Sequence, residues 1–488
     1  MTGTTLRRAF LLGLVAGVVY FTGTLYWITR VMAVYGNLAT AVAVLVNAAL
    51  IAYLALFPAV FALIVRRLMV AYGRAALLAA PLVWVATELG RTYIFTGFPW
   101  VLLGYSQTRV LPIAQFASLF GVYGVSMLVA SMSAAFAASV VGTPAAVGTP
   151  KRVPYSLSDS YVGHRFSGAM GYARIRPLIV TIVLMLGVAL WGSQRLASNE
   201  LTHTGAPIRV GMIQGNVDQA EKMGLQRTAE IFQDYLTKTR QAIREGAEFV
   251  LWPESSTTFI FEEDRAGAEQ MRALARQTRV PILFGSDQIE RGAPNKWFNS
   301  AFLVGPDGTV GGVYRKIHLV PFGEYVPLQR LLFFAAPLTE QVGTFSPGVN
   351  ATLLPMRGHP VSVSICYEVV YPDLVRRFVA GGSELLTTIT NDAWFGPTSA
   401  PYQHFEQASM RAIEEGRYLV RSANTGISGI VDPYGRVIER TAVFERAVVV
   451  GEARFLKTST VYARTGDLLA YASVLATAVL LAFARRVK

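Results

Sequence analysis

Six stretches of this chain are long and apolar enough to cross a bilayer, and no other feature narrows its fold as far. They cover roughly residues 9–29, 38–65, 75–95, 112–141, 177–193 and 466–484. A hydrocarbon core of about 30 Å needs about 20 residues of helix. The second and fourth stretches are long for one span, so tilt or a re-entrant turn is expected there. The first runs past 20 residues without a small-x-small cleavage pattern, so it is expected to stay as a span rather than leave as a signal peptide.

Composition agrees. Hydrophobic residues make up 52% of the 488 and charged residues 15%, where a soluble protein carries about a quarter charged. The deficit lies in the first 200 residues and the last 25. Orientation follows from Lys and Arg in the flanks of the spans. With the amino terminus inside, the inner flanks hold Arg7, Arg8, Arg66, Arg67, Arg74, Lys151, Arg152, Arg165, Arg174, Arg176, Arg485, Arg486 and Lys488. The outer flanks hold only Arg30, Arg91, Arg109, Arg195 and Arg464. Both termini are therefore expected in the cytoplasm and the polar block between the fifth and sixth spans outside it. The net charge of +13 is partly this topology signal. No nucleic-acid recognition motif accompanies it.

Three regions follow: a five-span membrane domain over 1–200, an extracytoplasmic domain over 201–462, and a last span with a basic tail over 463–488. The loop 142–176, rich in Gly, Ser, Pro and basic residues, reads as a connector. In the outer block, strand patterns at 208–214, 249–252, 281–286, 300–304, 310–314 and 361–365 alternate with helix patterns at 224–245, 265–278 and 372–380. A strand at 385–389, a helix at 402–416 and short strands at 418–422, 428–431, 437–439 and 448–452 complete it. Strands interleaved with helices predict a layered α/β fold. No internal repeat is visible in the sequence.

The one cysteine, Cys366, follows the alternating run Val361-Ser-Val-Ser-Ile365, which places it at a strand's carboxyl end, where α/β folds keep their chemistry. A lone Cys is most often a small buried hydrophobe. Here it has company: Leu251-Trp-Pro-Glu254 and Tyr314-Arg-Lys316 each set a charge at the end of a short apolar run. A thiol attacks as thiolate. Glu254 is suited to take its proton. Lys316 is suited to lower the thiol pKa and then face the oxyanion formed on an ester carbonyl. Taken singly, Glu254 reads equally as a loop carboxylate and Lys316 as a hairpin surface charge. Together with Cys366 they form the constellation of a thiol acyl-transfer enzyme. The five histidines lack metal-ligand spacing, and the chemistry needs no metal or other cofactor.

The order Glu254, Lys316, Cys366 resembles the Glu–Lys–Cys triad of the nitrilase, or carbon–nitrogen hydrolase, superfamily. Lys316-Ile-His-Leu-Val-Pro-Phe-Gly-Glu324-Tyr-Val-Pro and Thr390-Asn-Asp-Ala-Trp-Phe-Gly396 are similar to segments of its integral-membrane branch, the apolipoprotein N-acyltransferases. So are Thr96-Gly-Phe-Pro-Trp-Val-Leu-Leu-Gly-Tyr-Ser-Gln107, Gln214-Gly-Asn216 and Tyr462-Ala-Arg-Thr-Gly-Asp467. The resemblance implies an αββα sandwich beside the six spans, with Cys366 as nucleophile, Glu254 as base and Lys316 as oxyanion stabiliser. Glu324 and Glu368 match further acidic positions of the family site and Tyr367 its aromatic position. Glu368, two residues after the thiol, is suited to orient Lys316. It implies a phospholipid acyl donor, the α-amine of a diacylglyceryl-lipoprotein as acceptor, a monomer, and the bacterial inner membrane. Trp394 and Phe395 suit either the lipid headgroup layer or the core. Glu88 and Arg91, three apart, are expected to reach the interface rather than pair.

Two departures stand out. Where many relatives carry Trp, this chain has Met223, and better-known relatives have two more amino-terminal spans. Two other readings fit parts of the pattern. A tethered amide or nitrile hydrolase would use the same triad with water as acceptor. A receptor or transporter would need polar residues inside the spans, and leaves the triad order unexplained.

Overall fold

The computed structural model describes residues 4–141, 168–218, 225–325 and 344–486. Its amino-terminal part is helical: α1 (Leu6–Leu25), α2 (Trp27–Val34), α3 (Thr40–Tyr72), α4 (Ala80–Tyr93), α5 (Leu111–Ala114), α6 (Ala117–Val140) and α7 (Gly168–Ser198). Among the described residues four stretches are long and apolar enough to cross a membrane: Leu6–Leu25, Thr40–Tyr93, Ala117–Val140 and Ile175–Thr202. A shorter apolar helix, Leu468–Ala484, comes last. Leu45 and Leu190 are 69% and 67% exposed on α3 and α7. Lipid, not water, suits such surfaces.

The predicted spans map onto this set with two differences. The stretch at 75–95 becomes only 14 residues of α-helix, α4, after a 3-10 turn over Gly73–Ala79. The stretch at 112–141 breaks into α5 and α6, and α6 itself carries a non-helical residue, Gly121. Gly121 has φ +66 and the ring of Tyr462 lies where its Cβ would be. Only glycine takes both the backbone and the contact.

The second part is α/β. Strands β1 (Ala206–Gln214), β2 (Phe249–Leu251), β3 (Ile282–Glu290), β4 (Lys296–Val304) and β5 (Val310–Arg315) surround helices α8 (Leu225–Arg244) and α9 (Arg265–Thr278). Then come β6 (Leu354–Met356), β7 (His359–Ile365), α10 (Pro372–Ala380), β8 (Leu385–Thr390), α11 (Ala400–Glu415), β9 (Leu419–Ala423), β10 (Gly429–Val431), β11 (Val437–Arg440) and β12 (Ala447–Phe455). The alternation of period two read from the sequence produces these strands, and helices predicted over 265–278 and 372–380 have those bounds. On β1, Ile208, Val210 and Met212 join a core shared with Val361, Val363 and Ile365 of β7, while Ile213 packs under α8 and α9 with Trp252 and Phe284. The result is two face-to-face sheets with helices outside them, the αββα arrangement.

The sheets run β12-β1-β2-β3-β4-β5 and β11-β10-β9-β8-β7-β6. In each, three parallel strands sit at the centre (β1, β2, β3 and β7, β8, β9) with antiparallel strands beside them. The topology therefore repeats although the sequence shows no repeat. The last strand of each half crosses over: β6 follows β5 but pairs with β7, and β12 follows β11 but pairs with β1. That exchange fixes the two sheets together at their edges.

Helix α11 lies between the second sheet and the membrane helices and is buried from Gln407 to Glu415, with His404 buried as well. Glu414 accepts the Val122 N–H of α6 at 2.7 Å and pairs with Arg411 at 3.0 Å, and Arg411 donates to the Tyr105 hydroxyl at 2.9 Å. Tyr462 donates to Asp467 at 2.9 Å at the head of the last helix. Gly121 is the joint of this region. Gly121→Val is expected to lower stability by about 1–3 kcal/mol, read as a fall of several degrees in the thermal midpoint in detergent. Gly187→Val, at a glycine of α7 with open space around it, is expected to leave the midpoint unchanged.

Candidate active site

Lys316 leaves the end of β5 and is 1% exposed. Its ammonium donates to Glu324 Oε1 at 2.9 Å and to Glu254 Oε1 at 3.3 Å. Burial opposes the charge, but Glu254 and Glu324 outweigh it and hold the ammonium protonated above the ordinary lysine range. Asn299 of β4 binds the same two oxygens through Nδ2, at 2.8 Å to Glu254 and 2.9 Å to Glu324. The remaining carboxylate oxygens take backbone donors: Asn391 N–H to Glu254 at 2.9 Å and Val320 N–H to Glu324 at 2.7 Å. The ends of β2, β5 and β8 and the interior of β4 thus converge on one buried charge cluster.

Cys366 follows β7 with φ +52, a left-handed conformation costing about 1–2 kcal/mol for a non-glycine residue. Such strain persists only where surrounding bonds over-determine it. The thiol is buried, and burial first, then the Glu254 charge, pushes its pKa up; Lys316 pulls it down by less. The expectation that Lys316 lowers the thiol pKa holds in direction but not in net effect. The resting group is therefore a thiol.

Glu368 lies beneath. Its Oε1 accepts from the Tyr314 hydroxyl at 2.7 Å, Ile317 N–H at 2.6 Å and His318 N–H at 3.1 Å, and its Oε2 from Ile365 N–H at 2.7 Å. It has no direct bond to the Lys316 ammonium among these. It ties the backbone after Lys316 to the backbone before Cys366. Burial raises its pKa to about 7 against the pull of those bonds.

Tyr367 stacks with Trp100 at 6.1 Å and lies beside Phe98 at 6.4 Å, both from the membrane-side segment 96–107. Glu88 and Arg91 explain how that segment is held. They are buried rather than interfacial: Glu88 accepts Leu103 N–H at 2.7 Å, and Arg91 donates to the Trp100 carbonyl at 2.8 Å. Trp394 lies apart from the charge cluster, its ring 5.5 Å from Tyr35. Phe395 packs with Trp27, Trp100 and His404. Met223 lies outside the described residues.

Sequence reasoning missed Asn299, a lone polar residue in an apolar strand. It also missed Asp392, His404 and Arg421, which are buried together below Cys366. Only the segment Thr390–Gly396 hinted at the last group. Among the described residues no group of three or more His, Cys, Asp or Glu is placed to hold a metal ion.

The class of the α/β half is that of the carbon–nitrogen hydrolases, whose family profile matches residues 209–459. A second profile, the apolipoprotein N-acyltransferase N-terminal domain, matches residues 1–135. An apolipoprotein N-acyltransferase of Geobacter metallireducens is 40% identical over 99% of this chain and 88% of its own length. One of Methylococcus capsulatus is 33% identical over 94% and 84%. An amidase from Nesterenkonia sp. of known structure is 20% identical with a TM-score of 0.40, over 52% of this chain and 93% of its own. The chain belongs to the apolipoprotein N-acyltransferase family, and is a membrane acyltransferase.

The Glu368 carboxyl carries a pH signature. Its folded pKa of about 7 lies above its ordinary 4.5, so the folded state holds the proton more tightly than the unfolded one. Stability from this group is full below pH 4.5 and is lost as pH rises through about 7. Glu368→Gln is expected to flatten that slope in thermal melts between pH 4.5 and 8. It also turns an NH2 toward a cage of donors, and is expected to cost about 1–3 kcal/mol at neutral pH.

Proposed function

We propose that Cys366, Glu254 and Lys316 carry the family's acyl transfer by a two-step route. In the first step Glu254 takes the thiol proton as sulfur attacks the ester carbonyl of a phospholipid. Lys316 faces the oxyanion. The ester C–O bond breaks, the proton passes from Glu254 to the departing lysophospholipid oxygen, and a thioester remains on Cys366. In the second step the α-amine of a lipoprotein's diacylglyceryl-cysteine attacks the thioester. Glu254 takes its proton, an amide forms and the thiol is restored.

The observation that carries this reading is the ion cluster: a buried ammonium shared by two carboxylates, one of which also biases the adjacent buried thiol. A thiol held neutral by burial requires the neighbouring base, and a permanently charged ammonium suits a transient oxyanion. Glu324 and Asn299 keep Lys316 and Glu254 in register, Glu368 fixes the backbone on both sides, and Tyr367 with Trp100 walls off water from the thioester.

Both substrates carry lipid, which accounts for the membrane helices. A cleft of about 360 Å³ between α1, α3 and α4, lined by Leu12, Tyr20, Phe57, Phe61, Trp84 and Val101 among others, offers apolar surface for acyl chains. The Lys and Arg asymmetry supports an inner-membrane protein with both termini cytoplasmic and the catalytic domain periplasmic. On this reading residues 1–200 and 463–488 anchor the enzyme, 201–462 perform the chemistry, and the chain works as a monomer. Water as final acceptor is the less favoured outcome, given the match of the membrane part to the acyltransferase profile.

Intact mass spectrometry of the protein in detergent with phospholipid tests it. The wild type is expected to gain one acyl mass that hydroxylamine removes, and Cys366→Ala none. Glu254→Gln is expected to slow adduct formation by about 100-fold or more. A diacylglyceryl lipopeptide should then discharge the adduct as amide, not as free fatty acid. Wild-type protein that gains no adduct and releases no lysophospholipid would sink the reading.

A further inference from the structure

Beneath the nucleophile lies a second polar cluster that the acyl-transfer steps do not use. His404 of α11 places Nε2 at 3.1 Å from the carbonyl oxygen of Cys366. A carbonyl only accepts, so Nε2 carries the proton and donates. On its other side Nδ1 lies 3.0 Å from Asp392 Oδ1 and 3.0 Å from Arg421 Nη2. Arg421 also donates to Asp392 Oδ2 at 2.9 Å, and the Thr390 hydroxyl to Asp392 Oδ1 at 2.8 Å. Asp392, His404 and Arg421 are all fully buried. The imidazole is held between aromatic rings, Trp100 at 5.3 Å and Phe395 at 5.9 Å.

We propose that His404, oriented by Asp392 and Arg421, is a positioning residue that holds the Cys366 carbonyl and so keeps the nucleophile in its left-handed conformation. The inference rests on Cys366 being the acylated thiol. Its physical basis is over-determination. At φ +52 the cysteine backbone would relax unless its peptide is gripped. Glu368 holds the residue before it through the Ile365 N–H, and His404 holds the peptide after it through the Cys366 carbonyl. Rotation about either neighbouring bond swings Sγ away from Glu254 and Lys316. The clamp also spans the two halves of the protein. Trp100, from the membrane side, packs tilted against His404 at 5.3 Å and donates through Nε1 to Gln403 Oε1 at 2.8 Å, one residue away on α11.

The test compares His404→Leu, which keeps bulk and loses the donor, with His404→Gln, whose amide reaches to a similar depth. Full-length protein in detergent is given phospholipid, and the rate and half-saturating concentration of Cys366 acylation are read by intact mass. In parallel the thiol is alkylated with iodoacetamide, a small electrophile that forms no oxyanion. His404→Leu is expected to slow acylation by about 10- to 100-fold, with half-saturation within about twofold, alkylation slowed by clearly less because it needs the base but no oxyanion partner, and the thermal midpoint kept. His404→Gln is expected to recover most of the rate. Wild-type acylation in His404→Leu overturns the proposal. So does equal loss of acylation, alkylation and thermal midpoint in both variants, which marks a merely structural residue. A wild type that alkylates at Cys366 but never takes up acyl defeats the nucleophile reading itself, and is told apart by the unsubstituted control.

Discussion

An ammonium that is 1% exposed has to be neutralised where it stands, because removing an ion from water costs several kcal/mol unless partners replace the lost hydration. Lys316 meets that cost with Glu254, Glu324 and, through them, Asn299. Those residues come from β2, β4 and the loop after β5, and Glu254 takes a further donor from the end of β8 in the opposite sheet. Only Lys316 and Glu324 are close in sequence, eight residues apart. The cluster forms only if both sheets are assembled face to face in their observed order. Removing one member leaves an unpaired buried charge, so the fold and the site stand or fall together.

The same rule governs the junction with the membrane. A helix in the middle of a protein usually reads as apolar all round, yet α11 carries His404, Arg411, Glu414 and Glu415, all buried. Arg411 and Glu414 reach out to Tyr105 and to the α6 backbone. His404 reaches in to the Cys366 carbonyl. One helix thus uses paired polar groups at two levels about two turns apart, Arg411 and Glu414 toward the lipid-facing helices and His404 toward the site.

Much of this was legible beforehand because it rests on periodicity. Residues 361–365 alternate and form β7; 265–278 and 372–380 show a stripe every three to four residues and form helices with those ends. The Glu254–Lys316–Cys366 set was visible because each residue ends an apolar run. What stayed hidden has no period. Strand β6 is three residues long with a proline inside and gives no alternation to read. The crossing of β12 to the other sheet depends on a pairing with β1 across more than two hundred residues, as between Ala206 and Phe455. Asn299 looks like any polar strand residue until its partners are known. His404 and Arg421 are each unremarkable in sequence, and only α11 crossing under the β7 end makes them one cluster. The left-handed backbone at Cys366 was equally silent, since no glycine marks it.

Strain and burial explain why the membrane part cannot be a mere tether. On the proposed route a thiol kept neutral by burial attacks only when base and electrophile are correctly aligned, and that alignment depends on a backbone conformation that an unconstrained cysteine would leave. The bonds that prevent this come from the α/β core through Glu368 and from α11 through His404. The ring that closes over His404 and Tyr367 is Trp100, held in place by Arg91 on α4. A chain of contacts therefore runs from a buried arginine at the end of a membrane helix to Cys366. The lipid-facing helices supply part of the wall that shapes the site, and the catalytic domain alone would lack it.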